Sequence, residues 1–159
     1  MQHLTTQATS ARQGWGHLVR AYASIARELD TQLKAEHDLT INEYEVLLLL
    51  ARAEERQMRR IDIASELVLS PSGITRMLDR LGAAGLVGKG KCSSDARVSY
   101  AVLTDAGLRK LKAAGRSHDA VIEEMVGGPL RERDLKNLAE ILERLPGTAG
   151  DETCSVGDE

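Results

Sequence analysis

The sequence predicts a mainly helical protein that also contains one small β-hairpin. Its 159 residues are 42% hydrophobic with no Phe and one Trp, so we expect an aliphatic core. Apolar residues recur at helical spacing on both sides of a short segment that is rich in Val, Leu and Tyr and is divided by polar residues. This pattern favours helices that flank a hairpin over a sandwich of two sheets.

The N-terminal part of the chain is predicted to form one long helix. A stripe of apolar residues at spacings of three and four covers about five helical turns. Its members are Trp15, Leu18, Tyr22, Ile25, Leu29 and Leu33. The stripe is longer than a small domain usually covers, so we expect part of it to contact another helix, which could belong to a second subunit. We assign residues 10–38 to this N-terminal helix.

Three short helices are predicted after this long one. Residues 40–43 (TINE) have the spacing of a capping box, which begins a helix over residues 41–53. Apolar spacing predicts a second helix over residues 60–68. Ser70 followed by proline is typical of a helix start, and we expect this third helix to run to Ala84.

A β-hairpin and two further helices are predicted to complete the chain. Residues 86–91 and 97–103 have the composition of short strands, and a polar segment joins them. Residues 104–146 are predicted to form two C-terminal helices, because Gly-Gly-Pro at 127–129 interrupts an otherwise helical pattern. Residues 147–159 contain four acids and no base, which predicts a disordered acidic tail.

Charge is distributed unevenly along the chain. The net charge is −3, yet residues 52–97 carry nine Lys or Arg against six Asp or Glu, which gives this segment +3. A basic segment within an acidic protein is typical of a local surface that binds anions such as DNA phosphates.

Three helices followed by a hairpin is the element order of a winged helix-turn-helix domain, which we assign to residues 39–103. In such a domain the helix before the hairpin enters the major groove of DNA, and the hairpin, or wing, can reach the backbone or the adjacent minor groove. On that helix Arg76 could donate two hydrogen bonds to guanine, and small polar side chains would allow a close approach to the bases. The residues predicted to contact DNA are Ser70, Ser72, Thr75, Arg76, Arg80, Lys89, Lys91, Asp95 and Arg97, with Asp95 expected to orient Arg97.

Residues 67–107 resemble the multiple-antibiotic-resistance-regulator (MarR) family of winged helix-turn-helix proteins. The resemblance lies in SPSGITRMLDRL followed by GLV, in the spacing of Asp95 and Arg97 in the wing, and in LTDAG at 103–107. It implies a homodimer that is joined through an N-terminal dimerisation helix, residues 10–38, and through C-terminal dimerisation helices, residues 104–146. It also implies a palindromic double-stranded operator. It also implies repression that a small ligand, often an aromatic acid or a phenol, relieves.

The resemblance also bears on the ligand site and on the wing. Trp15, Arg20, Tyr22 and Tyr44 fall on helices that line the ligand pocket in similar proteins, although packing is an alternative role for the three aromatic residues. The wing departs from the usual family pattern at residues 88–91 (GKGK), where two glycines make the approach to the wing more flexible.

Other functions have less support in the sequence. Cys92 is predicted to lie in the wing near positive charge, which leaves a redox-responsive regulator as an alternative. A winged helix that binds another protein is the second alternative, and salt dependence would separate it from DNA binding. Neither a metal-ligand spacing nor a catalytic motif occurs, so we expect no cofactor and no enzyme activity. The two distant cysteines and the absence of an apolar leader favour a cytoplasmic protein without a membrane partner.

Overall fold

The computed structural model describes residues 2–67, 69–91 and 99–146. The helices in these ranges are α1 (Gln2–His37), α2 (Ile41–Arg52), α3 (Arg60–Glu66), α4 (Pro71–Ala83), α5 (Asp105–Ile122) and α6 (Glu132–Glu143). The strands are β1 (Gln57–Arg59), β2 (Val87–Lys91) and β3 (Ser99–Leu103). A 3₁₀ turn (Glu54–Arg56) precedes β1, and a π-helical turn (Glu123–Gly127) follows α5. The order α2, α3, α4 and hairpin confirms the predicted winged helix-turn-helix arrangement.

The chain divides into two compact units. Residues 29–117 form the first unit, which holds α2, α3, α4 and the three strands. The second unit combines residues up to 28 with residues from 118 onwards, and it includes α6. The predicted winged lobe, residues 39–103, lies within the first unit. Helices α1 and α5 contribute residues to both units, and their role in dimerisation stays a prediction.

Helix α1 begins earlier than the apolar stripe predicts and is 36 residues long. The segment before Trp15 contains Thr, Gln, Ala and Arg but no proline, so nothing in it interrupts a helix. Neither α1 nor any other helix in the described ranges is long and apolar enough to cross a membrane.

The predicted helix starts are confirmed by their capping contacts. The Thr40 hydroxyl accepts a hydrogen bond from the Glu43 amide at 3.2 Å, and the Glu43 carboxylate accepts one from the Thr40 amide at 2.8 Å. Ser70 caps α4 by accepting from the Gly73 amide at 3.1 Å, and proline occupies the first turn. These contacts satisfy amides that have no partner inside the helix, so α2 and α4 begin at defined residues.

The core of the first unit surrounds α2. Val46, Leu47 and Leu50 on this helix are fully buried, as its nearly continuous apolar sequence predicts. Leu33 of α1 and Ile63 of α3 belong to the same cluster of buried side chains. Burial of aliphatic side chains is the main stabilising contribution here, at about 25 cal/mol per Å² of apolar surface. Helices α1, α2 and α3 are therefore held together by one core.

A three-stranded antiparallel sheet lies beside this core in the order β1-β3-β2. The hairpin pairs Lys89 of β2 with Ala101 of β3, and Ala101 also pairs with Met58 of β1. Strand β1 was not predicted, because it has three residues and lacks the β-branched and aromatic residues that indicate a strand. The predicted hairpin tip and the predicted acidic tail, residues 147–159, lie outside the described residues.

Candidate nucleic-acid interface

Helix α4 presents one apolar and one polar face. Ile74, Leu78 and Leu81 are buried in the core, and this anchors the helix to the lobe. Three residues of the opposite face, Ser72, Thr75 and Arg76, are exposed. The predicted orientation of the helix is thus confirmed, and small polar groups near its N-terminus surround one long cation.

Most of the described cations around α4 form ion pairs with acids of the same unit. The pairs are Arg56 with Asp105 at 3.2 Å, Arg59 with Asp62 at 2.6 Å, and Arg60 with Asp79 at 4.0 Å. The hydrogen bond from Arg59 to Asp62 and the charge of that carboxylate raise the pKa of Arg59. Arg76 and Lys89 form no ion pair with the described residues. Their charge is therefore available to an anion in solution.

Arg80 contacts the interior of the lobe. Its Nε atom lies 3.0 Å from Oε1 of Glu43, and its Nη2 atom donates to the Asp38 carbonyl at 2.9 Å. The Glu43 side chain is only 3% exposed. Sequence analysis placed Glu43 in the capping box alone. A charged side chain on an otherwise apolar, buried helix is the signal that could have predicted a cationic partner.

The wing is described in part. Lys89 is exposed on β2, and β2 lies close to β3, because a Cβ on Gly90 would be 2.9 Å from Cγ2 of Val102. The side chain of Lys91 and residues 92–98 lie outside the described part of the structure. The predictions for Lys91, Cys92, Asp95 and Arg97 therefore stay predictions.

A pocket of about 290 Å³ lies between α4 and the sheet. Arg60, Asp79 and Lys89 bring charge to it, and Gly82 and Val87 contribute to its walls. The Nε atom of Arg60 is buried and has no hydrogen-bond partner among the described residues. Arg60 was not among the residues predicted from the sequence to contact DNA.

The four residues predicted to bind a ligand do not line this pocket. Trp15, Arg20 and Tyr22 lie on α1, where the two aromatic side chains are 67% and 70% exposed. Tyr44 belongs to the first unit and is 5% exposed within its core. The structure thus places Trp15 and Tyr22 on a surface and Tyr44 inside the lobe. Their role in ligand binding stays a prediction.

A helix with an exposed polar face, an adjacent hairpin with an exposed cation, and a buried core behind them define a winged helix-turn-helix DNA-binding protein. The MarR family profile matches residues 39–99, which span α2, α3, α4 and the hairpin. Residues 39–99 therefore form a MarR family domain, and the chain is similar to DNA-binding transcriptional regulators of that family.

Known relatives agree with this assignment. The transcriptional regulator MhqR of Bacillus subtilis is 29% identical over 128 residues, which cover 80% of this chain and 86% of MhqR. The regulator TtmR of Methylorubrum extorquens is 36% identical over 133 residues, and the match covers 82% of this chain and 63% of TtmR. The structure of Sco3205, a MarR family regulator from Streptomyces coelicolor in complex with DNA, is similar with a TM-score of 0.76 and 26% identity, over 83% of this chain and 86% of Sco3205.

Proposed function

We propose that the protein is a homodimeric repressor that binds a palindromic operator through α4 and the wing. The observation that carries this proposal is a pair of cations, Arg76 on α4 and Lys89 on β2, that have no ion-pair partner among the described residues. The other described bases of the lobe are largely paired. Arg76 lies on the face with Ser72 and Thr75 and is suited to donate to a guanine edge. Lys89 on the wing is suited to a phosphate. The DNA complex of Sco3205 supports the same use of the fold.

A homodimer is proposed because the second unit exposes large apolar side chains at helical spacing. On α1 these are Trp15, Val19 and Tyr22, and on α6 they include Ile141. Apolar groups grouped on one helix face usually mark a contact with another protein surface. A two-fold symmetric dimer carries two copies of α4, which would contact successive major grooves about 34 Å apart.

The experiment that tests DNA binding selects preferred duplexes from a random library and measures their affinity by fluorescence anisotropy at several salt concentrations. We expect a two-fold symmetric site. Arg76→Ala should reduce discrimination against a changed base pair by about 1–3 kcal/mol. Lys89→Ala should weaken all duplexes alike and lower the salt slope by about 1 for each Lys89 that contacts a phosphate.

Arg133→Ala is the matched control, because Arg133 lies on α6 and is 79% exposed, with one long contact to Asp134. This variant removes the same charge as Arg76→Ala and should retain both affinity and salt slope. If the library yields no preferred sequence, or if Arg76→Ala discriminates like the wild type, the assignment of α4 as the recognition helix is wrong.

We further propose that a small aromatic or carboxylate ligand releases the repressor from DNA. Trp15 is the one Trp in the chain, so its fluorescence reports directly on the exposed face of α1. Benzoate and phenol are suitable probes. We expect a saturable change in Trp15 fluorescence together with weaker operator binding, and Arg20→Ala should weaken the benzoate response. If neither probe weakens operator binding at concentrations that saturate the change in Trp15 fluorescence, these compounds do not release the protein from DNA.

A further inference from the structure

The guanidinium of Arg80 joins three elements of the winged lobe. Arg80 lies near the end of α4, Glu43 in the first turn of α2, and Asp38 directly after the last residue of α1. One edge of the guanidinium faces the Glu43 carboxylate, and Nη2 donates to the Asp38 carbonyl. An Arg with both of these partners cannot be replaced by Lys without the loss of one contact, because an ammonium group lacks the planar fork.

We propose that Arg80 is a positioning residue, which sets where the recognition helix lies and serves DNA binding through Glu43 and Asp38 without contacting a phosphate. This proposal rests on the proposed binding of DNA by α4. It replaces our sequence-based expectation that Arg80 contacts DNA directly.

The burial of Glu43 is the first argument. Its Oε2 atom accepts hydrogen bonds from the amide and the hydroxyl of Thr40, at 2.8 and 3.0 Å, which leaves Oε1 for Arg80. A carboxylate removed from water is strongly destabilising unless a counter-charge and hydrogen bonds compensate it. Arg80 is the cation that the described residues place against it. The pair therefore ties the end of α4 to the start of α2.

The backbone at Asp38 is the second argument. Asp38 has a φ of 50°, in the left-handed region, and this conformation ends α1. Its carbonyl is the acceptor for Arg80, while its own carboxylate is almost fully exposed at 3.5 Å from Nη2. A contact to the main chain depends on where the chain lies more than on which side chain it carries. Arg80 thus links the position of α4 to the position of the main chain at the end of α1.

The same end of α1 is held by α5. The Ser117 hydroxyl donates to the Glu36 carboxylate at 2.5 Å and lies 2.8 Å from Nε2 of His37. Residues 36–43 therefore connect α5 with α4 through side chains. A shift of this segment would move the acceptors of Arg80 and so change the placement of α4.

The test compares Arg80→Lys, Arg80→Ala and Glu43→Gln on the selected operator and on a random duplex, over a range of salt. We expect both Arg80 variants to lose operator affinity by roughly 10-fold or more, with random-duplex affinity and salt slope unchanged. A phosphate contact predicts the opposite pattern, in which Lys restores binding and Ala lowers the slope by about 1 per contact. That pattern would overturn the proposal. Arg133→Ala again controls for the loss of one charge.

Glu43→Gln separates positioning from direct contact, because a buried residue cannot touch DNA. Glutamine keeps the capping geometry and loses the charge. We expect it to weaken operator binding, and the combined Glu43→Gln and Arg80→Ala variant to bind no more weakly than Arg80→Ala alone. If the combined variant lost affinity by the product of the two separate fold-changes, Glu43 and Arg80 would not act through one shared contact.

Hydrogen exchange on the DNA-free protein provides a measurement that is independent of the proposed function. Arg80→Ala and Glu43→Gln should both lower the protection of amides in the last turn of α4 and leave those of α2 at Leu47 and Leu50 protected. Unchanged protection in α4 would overturn the positioning role even if DNA binding fails. If the wild type selects no duplex while this protection falls, the proposed function is wrong and the contact between α4, Glu43 and Asp38 stands.

Discussion

Gly107, in the first turn of α5, lies directly against the carbonyl of Leu86, which precedes the hairpin. A Cβ on Gly107 would be 2.2 Å from the Leu86 oxygen and 2.7 Å from Cδ1 of Leu103. The Thr104 hydroxyl reinforces this junction, because it donates to the Gly85 carbonyl at 2.7 Å and accepts from the Gly107 amide at 3.0 Å. The base of the wing and the start of α5 are thus in backbone contact.

Gly107→Ala is expected to destabilise the protein by about 2–3 kcal/mol, because the added methyl group meets a backbone atom that cannot move without displacing the hairpin. Urea denaturation measures the change. Gly14→Ala on α1 is the matched control: no atom lies within 4 Å of its new Cβ, so it should stabilise the protein by about 0.5–1 kcal/mol. Equal effects of the two variants would show that the contact at Leu86 is unimportant.

Ser70→Ala should lower the free energy of unfolding by about 1 kcal/mol, because the Gly73 amide would lose its capping acceptor. Ser72→Ala is the comparison within the same turn. The exposed Ser72 hydroxyl lies 3.3 Å from that of Ser70 and caps no amide among the described residues, so stability should change by less than about 0.5 kcal/mol. Operator binding is expected to respond to Ser72→Ala at unchanged stability. Equal loss of stability in both variants would contradict the assignment of Ser70 as the cap.

Asp30→Asn tests a pH-dependent contact between α1 and α2. The hydrogen bond from Lys34, together with one from the Ile41 amide at 3.1 Å, holds the pKa of Asp30 below its usual value of 3.8. A lowered folded-state pKa contributes stability above the unfolded value, and this contribution is lost as pH falls through the folded pKa. The variant should be less stable than the wild type at pH 7 by roughly 0.5–1 kcal/mol. Thermal melts should show this difference shrinking below about pH 3.8.

Ile141→Asp should shift the protein from dimer towards monomer, because a carboxylate on the exposed face of α6 would be desolvated in an apolar interface. Sedimentation velocity at several concentrations measures the change. Ile61→Asp is the control, since Ile61 is also exposed, at 71% against 55% for Ile141, but lies on α3 of the other unit. A wild-type protein that sediments as a monomer throughout would exclude the proposed homodimer.

Much of the fold follows from features that are local in the sequence. The capping residues Thr40 and Ser70 act on amides three residues away, so their spacing was sufficient to place the starts of α2 and α4. The buried positions of α4, such as Ile74 and Leu78, recur at helical spacing in the sequence, and this spacing was sufficient to predict which face of α4 is buried.

The features that were missed depend on contacts between distant parts of the chain. Strand β1 exists because Met58 pairs with Ala101, and no composition in three residues could indicate that. The partnership of Arg80 with Glu43 joins residues of separate helices. Gly107 entered the sequence analysis only as the last residue of LTDAG, while the structure assigns it a close approach to Leu86. In each case the reason lies in tertiary packing.

The ion pairs that hold Arg56 and Arg59 to acids of their own unit bear on how the protein finds its site on a chromosome. Attraction to arbitrary DNA grows with the number of phosphates that a protein neutralises, and cations already paired internally add little to it. We therefore expect brief visits to unrelated sequences, and a residence time at the operator that depends mainly on base contacts. Such a regulator searches by frequent dissociation from DNA. The many other genomic sites then hold only a small fraction of the protein.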